Sequence, residues 1–227
     1  MPKISIIIPA CNEEKYLKKT LDAVFSSSFK DFEVIVILDA CTDNTLDVVK
    51  KYKNIKFLSI QARRASIARN KGASIAQGKI LIFLDADTII PQDLLEIINK
   101  DFTSQYSSAT VKAVPDINTF LPNLILLAKE LYITSGLRKT SNGIIITHKE
   151  IFEKIKGFRE DLPFHEDGYF IRAAAKLNPF QYIKKTIVTE SMRRYQKLGY
   201  IKPVLFWFVE FWKNLFGKRS KVYPVVR

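Results

Sequence analysis

The sequence predicts an α/β fold: a doubly wound, mostly parallel sheet with helices on both faces. Four short runs rich in Ile and Val, Ile4 to Ile8, Val34 to Leu38, Ile55 to Ile60 and Ile80 to Leu84, have the length and continuity of strands buried on both faces. Helical spacings fall between them, so strand and helix alternate through the first 85 residues. In such sheets the ligand crevice lies outside the carboxyl ends of the strands. That places functional residues at Pro9 to Glu13, Asp39 to Asp43 and Asp85 to Asp87 before any motif is considered.

The elements follow in order. Leu17, Leu21, Val24 and Phe25 recur at i, i+4, i+7 and i+8 and define a first helix, with Asn12 as its N-cap; Thr42 or Asp43 caps a second. Ala65, Ala68, Gly72, Ile75 and Ala76 repeat one face of a third helix. Beyond Pro91 the pattern predicts a helix from Gln92 to about Phe102, a strand from Ala109 to Val114 and a mostly apolar helix from about Leu121 to Ser135. A strand from Asn142 to Thr147, a short helix from Lys149 to Ile155 and a helix from Gly168 to Lys176, entered through His165, Glu166 and Asp167, complete the reading. No repeat or linker composition interrupts it. Residues 1–114 are therefore read as one half, 115–200 as a second half packed on it, and 201–227 as a tail.

Composition narrows the class of protein. The chain has 227 residues, 47% of them apolar, with two cysteines and eight glycines. These values exclude a disordered chain, a disulfide scaffold and a collagenous sequence. No secretory signal is read at the N-terminus and no run reaches the roughly 20 apolar residues of a membrane span, so the expected location is the cytoplasm. The formal net charge is +13, and eleven Lys/Arg stand against Glu190 and Glu210 from Lys184 onward. A basic end calls for an acidic partner: a phosphate-rich substrate, an anionic membrane surface or nucleic acid. Nucleic acid is set aside because no recognised binding motif accompanies the charge.

Several residues can carry chemistry. Asp85 and Asp87 end the most hydrophobic run in the chain, where two carboxylates one residue apart can turn toward a divalent cation; hard oxygen ligands favour Mg²⁺ or Mn²⁺ shared with substrate phosphates. The structural alternative is an Asx-type turn. Asp39 can accept hydrogen bonds from a base or ribose, whereas Asp43 reads as a cap. Arg69 is read as partly exposed on the third helix, able to pair with Asp85 or with a phosphate. Glu166 and Asp167 open a helix, where a carboxylate is stabilised by unpaired N–H groups, and the same placement suits a general base. His165 beside them can bind phosphate or metal, or be structural. Arg193, Arg194 and Lys197 form a cationic cluster able to neutralise a diphosphate, or else a solvated helix face. Cys11 and Cys41 follow neighbouring strands and should be close but reduced. The stretch from Val204 to Phe216 interleaves Trp and Phe with cations and suits an amphipathic helix in a membrane interface; a core helix, or a dimer contact in a homo-oligomer, is the equal alternative.

Taken together, the motifs resemble glycosyltransferase family 2 enzymes of the nucleotide-sugar-binding fold called GT-A. The resemblance rests on Ser5-Ile-Ile-Ile-Pro-Ala-Cys-Asn-Glu-Glu, with Cys11 where the family commonly has Tyr, and on Asp39, Ala68-Arg-Asn-Lys-Gly and Asp85-Ala-Asp. It continues through Asn142-Gly143 with Phe152 and Gly157-Phe158, His165-Glu-Asp-Gly-Tyr-Phe-Ile-Arg172 and Arg193-Arg194-Tyr, covering Lys3 to about Gly199.

The resemblance implies inverting, metal-dependent transfer of a sugar from a UDP- or GDP-linked donor to an acceptor hydroxyl. Pro9, Ala10, Asn12, Glu13, Asp39, Arg69, Asp85, Ala86, Asp87, Arg193 and Arg194 would form the nucleotide-sugar site. Asp87 and Asp85 would hold Mn²⁺ or Mg²⁺. Asp167 would be the base, with Glu166 the second candidate, and Asn142, Gly143 and His165 would face the acceptor. The basic, aromatic tail suggests a lipid-linked acceptor and a position at the cytoplasmic face of the membrane. Two readings compete. A nucleotidylyltransferase would need a Gly-rich phosphate loop, absent from Pro9-Ala-Cys-Asn-Glu; a catalytically silent nucleotide- or membrane-binding protein on the same fold would not need Asp167.

Overall fold

Alternation along the strands builds the two faces of the sheet. In β1 (Ile4–Ala10), Ile4, Ile6 and Ile8 point into one buried cluster and Ile7 into the other. In β2 (Phe32–Asp39), Val34, Val36 and Leu38 face the first cluster and Ile35 and Ile37 the second; in β4 (Ile80–Leu84) Phe83 joins Ile7. Both faces are covered, and this is why these segments read as continuous apolar runs. The computed structural model describes residues 1–135, 140–162, 164–206 and 209.

The remaining elements are α1 (Leu17–Phe25), α2 (Thr45–Lys50), β3 (Ile55–Ile60), α3 (Ala65–Ile75), α4 (Leu94–Asp101), β5 (Ser108–Pro115), α5 (Phe120–Thr134), β6 (Ile144–His148), α6 (Lys149–Lys154), α7 (Glu166–Ala174), β7 (Phe180–Glu190) and α8 (Arg193–Leu198). Seven strands form one sheet in the order β3-β2-β1-β4-β6-β5-β7. β1 to β4 are parallel, β6 runs antiparallel to β4 and β5, and β7 runs parallel to β5. The α/β class holds, and the boundary placed at residue 114 falls inside β5, so both halves share the sheet.

Helices α1, α2 and α4 cover one face with Leu17, Leu21, Val24, Val49, Leu94 and Ile98. Helix α3 lies against the other, close enough that a Cβ on Gly72 would stand 2.3 Å from Cγ2 of Ile7. Glycine is therefore required there for helix and sheet to meet.

Three expectations are corrected and one element is new. β3 is an edge strand paired only with β2, and its Phe57 and Leu58 are exposed, so it is not buried on both faces. Asn12 does not cap α1, which begins five residues later; its backbone is left-handed (φ 57°) and its side chain reaches the β2–α2 loop. Arg69 is 7% exposed, not on a solvated face. β7 was not anticipated. Of the tail, residues 201–206 are helical and Val209 is described; its other positions, including the two tryptophans, lie outside the described residues. No helix among the described residues is long and apolar enough to cross a membrane.

Candidate functional site at the carboxyl edge of the sheet

Backbone geometry marks the carboxyl edge as unusual. Among the described non-glycine residues, left-handed φ occurs at Asn12 after β1, Ala40 after β2, Arg63 after β3 and His165 before α7, all beside the crevice, and at Lys156. Such conformations persist where surrounding bonds enforce them.

Those bonds are visible. Asn12 Oδ1 accepts from the N–H of Thr42 (2.7 Å), while its Nδ2 donates to the Thr42 hydroxyl (3.2 Å). Asp43 accepts from the N–H groups of Glu14 and Thr45, so it closes the start of α2 as expected of a cap, although Asn44 is the boundary residue. Cys11 Sγ donates to the Ala40 carbonyl and Cys41 Sγ to that of Ala10, and neither cysteine is in a disulfide. Ala10 is itself buried in the core at the end of β1, with Pro9 before it in the strand.

Asp39 has a structural occupation that sequence reasoning did not foresee. Its Oδ1 accepts from the N–H groups of Ala62 (2.8 Å) and Arg63 (2.7 Å), its Oδ2 from that of Arg64 (2.7 Å), and it is 4% exposed. Three of the roughly four lone-pair positions of a carboxylate are thus spent on folding the β3–α3 loop. An acidic residue after a strand signals either a ligand contact or a backbone nest.

The Asp85-Ala86-Asp87 turn is fixed from three sides. The Asp85 N–H donates to the Gly143 carbonyl (2.8 Å), the Thr88 N–H to the Asp85 carbonyl (3.1 Å), and the Thr20 hydroxyl of α1 to the Ala86 carbonyl (2.8 Å). Gly143 adopts φ 69°, and a Cβ there would come within 2.2 Å of Thr88 Oγ1. Asn142 beside it is buried, its Nδ2 donating to the Val111 carbonyl. In this structure the pair shapes the aspartate turn, and the Asn142 side chain is bonded to β5.

Each aspartate is bridged by one arginine. Arg69 Nη2 lies 2.9 Å from Asp85 Oδ1 and its Nη1 2.5 Å from Glu166 Oε1, with the guanidinium 5.4 Å over the ring of Phe158. Asn70 next to it clamps the same turn, exchanging bonds with the N–H and carbonyl of Phe158. Arg193 donates from Nη1 and Nη2 to both oxygens of Glu13 (2.6 Å each), from Nε to Asp87 Oδ2 (2.9 Å), and rests over the ring of Tyr16. Arg194 follows it in the first turn of α8.

Electrostatics differ along this row. Burial pushes the Asp87 carboxyl up to about 7; Arg193 opposes the shift, and the carboxylates of Asp85, Glu13 and Glu190 add to it. The place is therefore short of positive charge, and its donors are hard oxygens, the chemistry that fits Mg²⁺ or Mn²⁺. No three His, Cys, Asp or Glu among the described residues are grouped to hold a metal alone. One or two carboxylates completed by substrate oxygens is the arrangement that fits.

At the start of α7 two adjacent carboxyls are driven apart. Burial raises Glu166, against Arg69, with Asp167 adding to the rise. Burial acts on Asp167 too, but the Gly168 N–H, Arg69, Thr140 and His165 outweigh it and hold that carboxyl below the ordinary range. Its Oδ2 accepts from the hydroxyls of Thr140 and Ser141 (3.0 Å each) and from the Ser141 N–H (3.3 Å). His165 is the left-handed residue before the helix. Arg69 thus ties this helix to the aspartate turn within the span of one guanidinium.

Sequence reasoning missed Thr20, Tyr16, Thr140 and Ser141. Thr20 did carry a signal: it is a polar residue on the apolar stripe Leu17, Leu21, Val24 of α1. Glu13 and Arg193 were both named, but 180 residues separate them and nothing in the sequence shows that they pair.

The family model described as Glycosyl transferase family 2 matches residues 5–153. The chain is 32% identical over 113 residues to the glycosyltransferase GlyA of Streptococcus pneumoniae serotype 4 (strain ATCC BAA-334 / TIGR4), covering 48% of this chain and 16% of that protein. It is 26% identical over 191 residues to the poly(ribitol-phosphate) beta-N-acetylglucosaminyltransferase TarS of Staphylococcus aureus (strain Mu50 / ATCC 700699), covering 77% of this chain and 32% of that one. The chain thus spans a third or less of these relatives' lengths. Residues 1–349 of S. aureus TarS in complex with UDP-GlcNAc superpose with a TM-score of 0.69 at 23% identity, over 83% of this chain and 58% of that one. The mannosyltransferase PcManGT of Pyrobaculum calidifontis, in complex with GDP-Man and Mn²⁺, gives 0.70 at 19% identity, over 83% and 56%. These likenesses show a shared fold.

Proposed function

The chain belongs to glycosyl transferase family 2 and has its GT-A fold, and from that premise we propose that it transfers a sugar, with inversion, from a nucleoside-diphosphate sugar to an acceptor hydroxyl. The observation that carries the reading is the doubly bridged aspartate turn. Arg69 joins Asp85 to the helix bearing Glu166 and Asp167, and Arg193 joins Asp87 to Glu13.

In this reading the donor lies across the carboxyl ends of β1, β2 and β4. Asp87 and Asp85 hold Mn²⁺ or Mg²⁺, which when bound supplies Lewis-acid stabilisation of the departing nucleoside diphosphate. Asp167 takes the acceptor proton as the hydroxyl oxygen bonds to the anomeric carbon on the face opposite the diphosphate. The bond from that carbon to the diphosphate oxygen breaks, and the electron pair leaves with the diphosphate. Thr140 and Ser141 keep the Asp167 carboxylate ionised and aimed, while Arg69 fixes the helix that carries it. Arg193 and Arg194 neutralise charge on the leaving group. UDP- and GDP-linked sugars are the candidate donors, supported by the ligands named for TarS and PcManGT. The acceptor hydroxyl belongs to a lipid-linked species at the cytoplasmic face of a membrane, a reading supported by the cationic end of the chain.

Calorimetric titration with UDP, GDP and their sugar conjugates, with Mn²⁺ and then with EDTA, tests the proposal. Cation-dependent binding in the wild type that disappears in Asp87→Ala is the expected result. A folded protein that binds no nucleotide would overturn it in favour of a silent binding role.

A further inference from the structure

Helix α5 is arranged against the usual rule for a surface helix. Its two charged residues turn inward: Lys129 pairs with Glu190 at 2.9 Å and Glu130 with Lys112 at 3.4 Å. Its outward face carries Phe120, Leu121, Leu124, Leu127 and Leu131, with Phe120 78% and Leu131 61% exposed. Phe120, Leu124, Leu127 and Leu131 fall at i, i+4, i+7 and i+11 and so form one stripe along the helix. All fifteen residues are described, and none on the outward face is charged. An ordinary solvated helix places its charges outside, and contiguous exposed apolar surface marks a contact with something apolar.

Three observations say what that contact is. The stripe lies beside the catalytic edge, because Lys129 on the inner side of the same helix reaches Glu190, at the end of β7 and two residues before α8. A second apolar surface stands near that edge: Ile201, Val204, Leu205 and Val209 are exposed, and the ring of Phe206 in the same segment lies against Phe164, next to His165. Cations accompany it. Lys197 and Lys202 are exposed, and the whole chain carries +13. A protein-binding core would mix Tyr, Trp and Arg with hydrogen-bonding groups. Leu and Phe without charge, on a convex helix of a cationic protein, match the boundary between headgroups and acyl chains of an anionic bilayer.

We propose that the outward face of α5, with Ile201, Val204, Leu205 and Val209, seats the protein on an anionic lipid surface and so brings the Asp167 edge to an acceptor held in that surface. This deepens the reading of a lipid-linked acceptor and rests on it for its purpose; the binding itself is measured without catalysis.

Sedimentation with phosphatidylcholine vesicles, with and without phosphatidylglycerol, tests the proposal on the full chain. The wild type should bind the anionic vesicles and lose binding in high salt. The triple variant Leu124→Gln, Leu127→Gln, Leu131→Gln should bind about tenfold more weakly, since several partly buried leucines are removed from the contact. Its circular dichroism and nucleotide affinity should be unchanged. Phe120→Gln, altering only the most exposed of the large apolar residues of the helix, should weaken binding by a smaller factor and serves if the triple variant does not fold. Unchanged vesicle binding in a folded variant would overturn the proposal. So would a wild type that ignores vesicles, including one whose sedimentation velocity shows a dimer that the triple variant abolishes, because a second copy would then cover the face. Nucleotide binding that persists through either failure would leave the transferase reading intact.

Discussion

The two arginine bridges use the same chemistry in different surroundings. Arg69 comes from a helix pressed onto the sheet, is 7% exposed, and joins residues 85 and 166 beneath the crevice. Arg193 comes from a short helix at the rim, retains more solvent contact, and closes over residues 13 and 87. The inner bridge is architecture, since two elements of the fold depend on it for their relative position. The outer bridge covers the carboxylates that a cation and a diphosphate would use, so it has to be exchangeable.

Replacing each arginine by methionine breaks or sharpens that distinction. Arg69→Met leaves the largely buried Glu166, and the more exposed Asp85, without their cation, and breaking a buried pair costs about 3 kcal/mol. It should lower the denaturation midpoint with or without divalent ions and abolish turnover. Arg193→Met should cost less, about 1 kcal/mol, because this guanidinium is itself the more exposed of the two, and added Mn²⁺ should restore much of that loss. Equal losses in the two variants, both indifferent to Mn²⁺, would erase the difference drawn between the bridges.

A pH titration in EDTA examines the outer bridge alone. The Asp87 carboxyl is raised from 3.8 to about 7, so between these values the folded chain holds a proton that the unfolded chain has released. Its contribution to stability is complete below about 4 and is lost as pH rises through about 7. Asp87→Asn cannot ionise, and its unfolding free energy should gain on the wild type's from pH 5 to pH 8, by on the order of 2 kcal/mol. Parallel pH curves for the two proteins would show that Asp87 is not held in the crowded state described.

The two regions also differ in how far the sequence discloses them. β1, β2, β4 and the helices between them were legible because burial on both faces leaves an unbroken Ile/Val pattern that only a covered sheet explains. β7 was not, because it is an edge strand whose Lys184, Lys185 and Thr186 interrupt the pairing: its register on β5 jumps from Ile183 to Ile187. Asp85, Asp87, Glu166 and Arg193 were legible as chemistry, since charged residues at strand and helix ends need a reason. Of their partners, Arg69 for Asp85 was named, 16 residues away; Arg69 for Glu166 and Glu13 for Arg193 were not, because those pairings cross 97 and 180 residues. Arg69 was read as partly exposed because its spacing on α3 is visible in sequence, whereas the Phe158 turn and α7 that cover it are not. Asp39 was read as a ligand contact because the three N–H groups it accepts come from a loop whose path no local pattern encodes.

Thr20 offers the smallest and most local test. Its hydroxyl is fully buried among apolar residues of α1 and donates to the Ala86 carbonyl between the two aspartates. Thr20→Val keeps the shape and removes the donor, leaving a buried carbonyl unpaired at a cost of about 1 kcal/mol. If the bond served only the core, that loss of stability would be the whole effect. Because it pins the backbone between Asp85 and Asp87, the cation affinity should also fall, by about threefold. A stability loss without any change in cation affinity would assign Thr20 to packing alone and leave Gly143 and Thr88 to hold the turn.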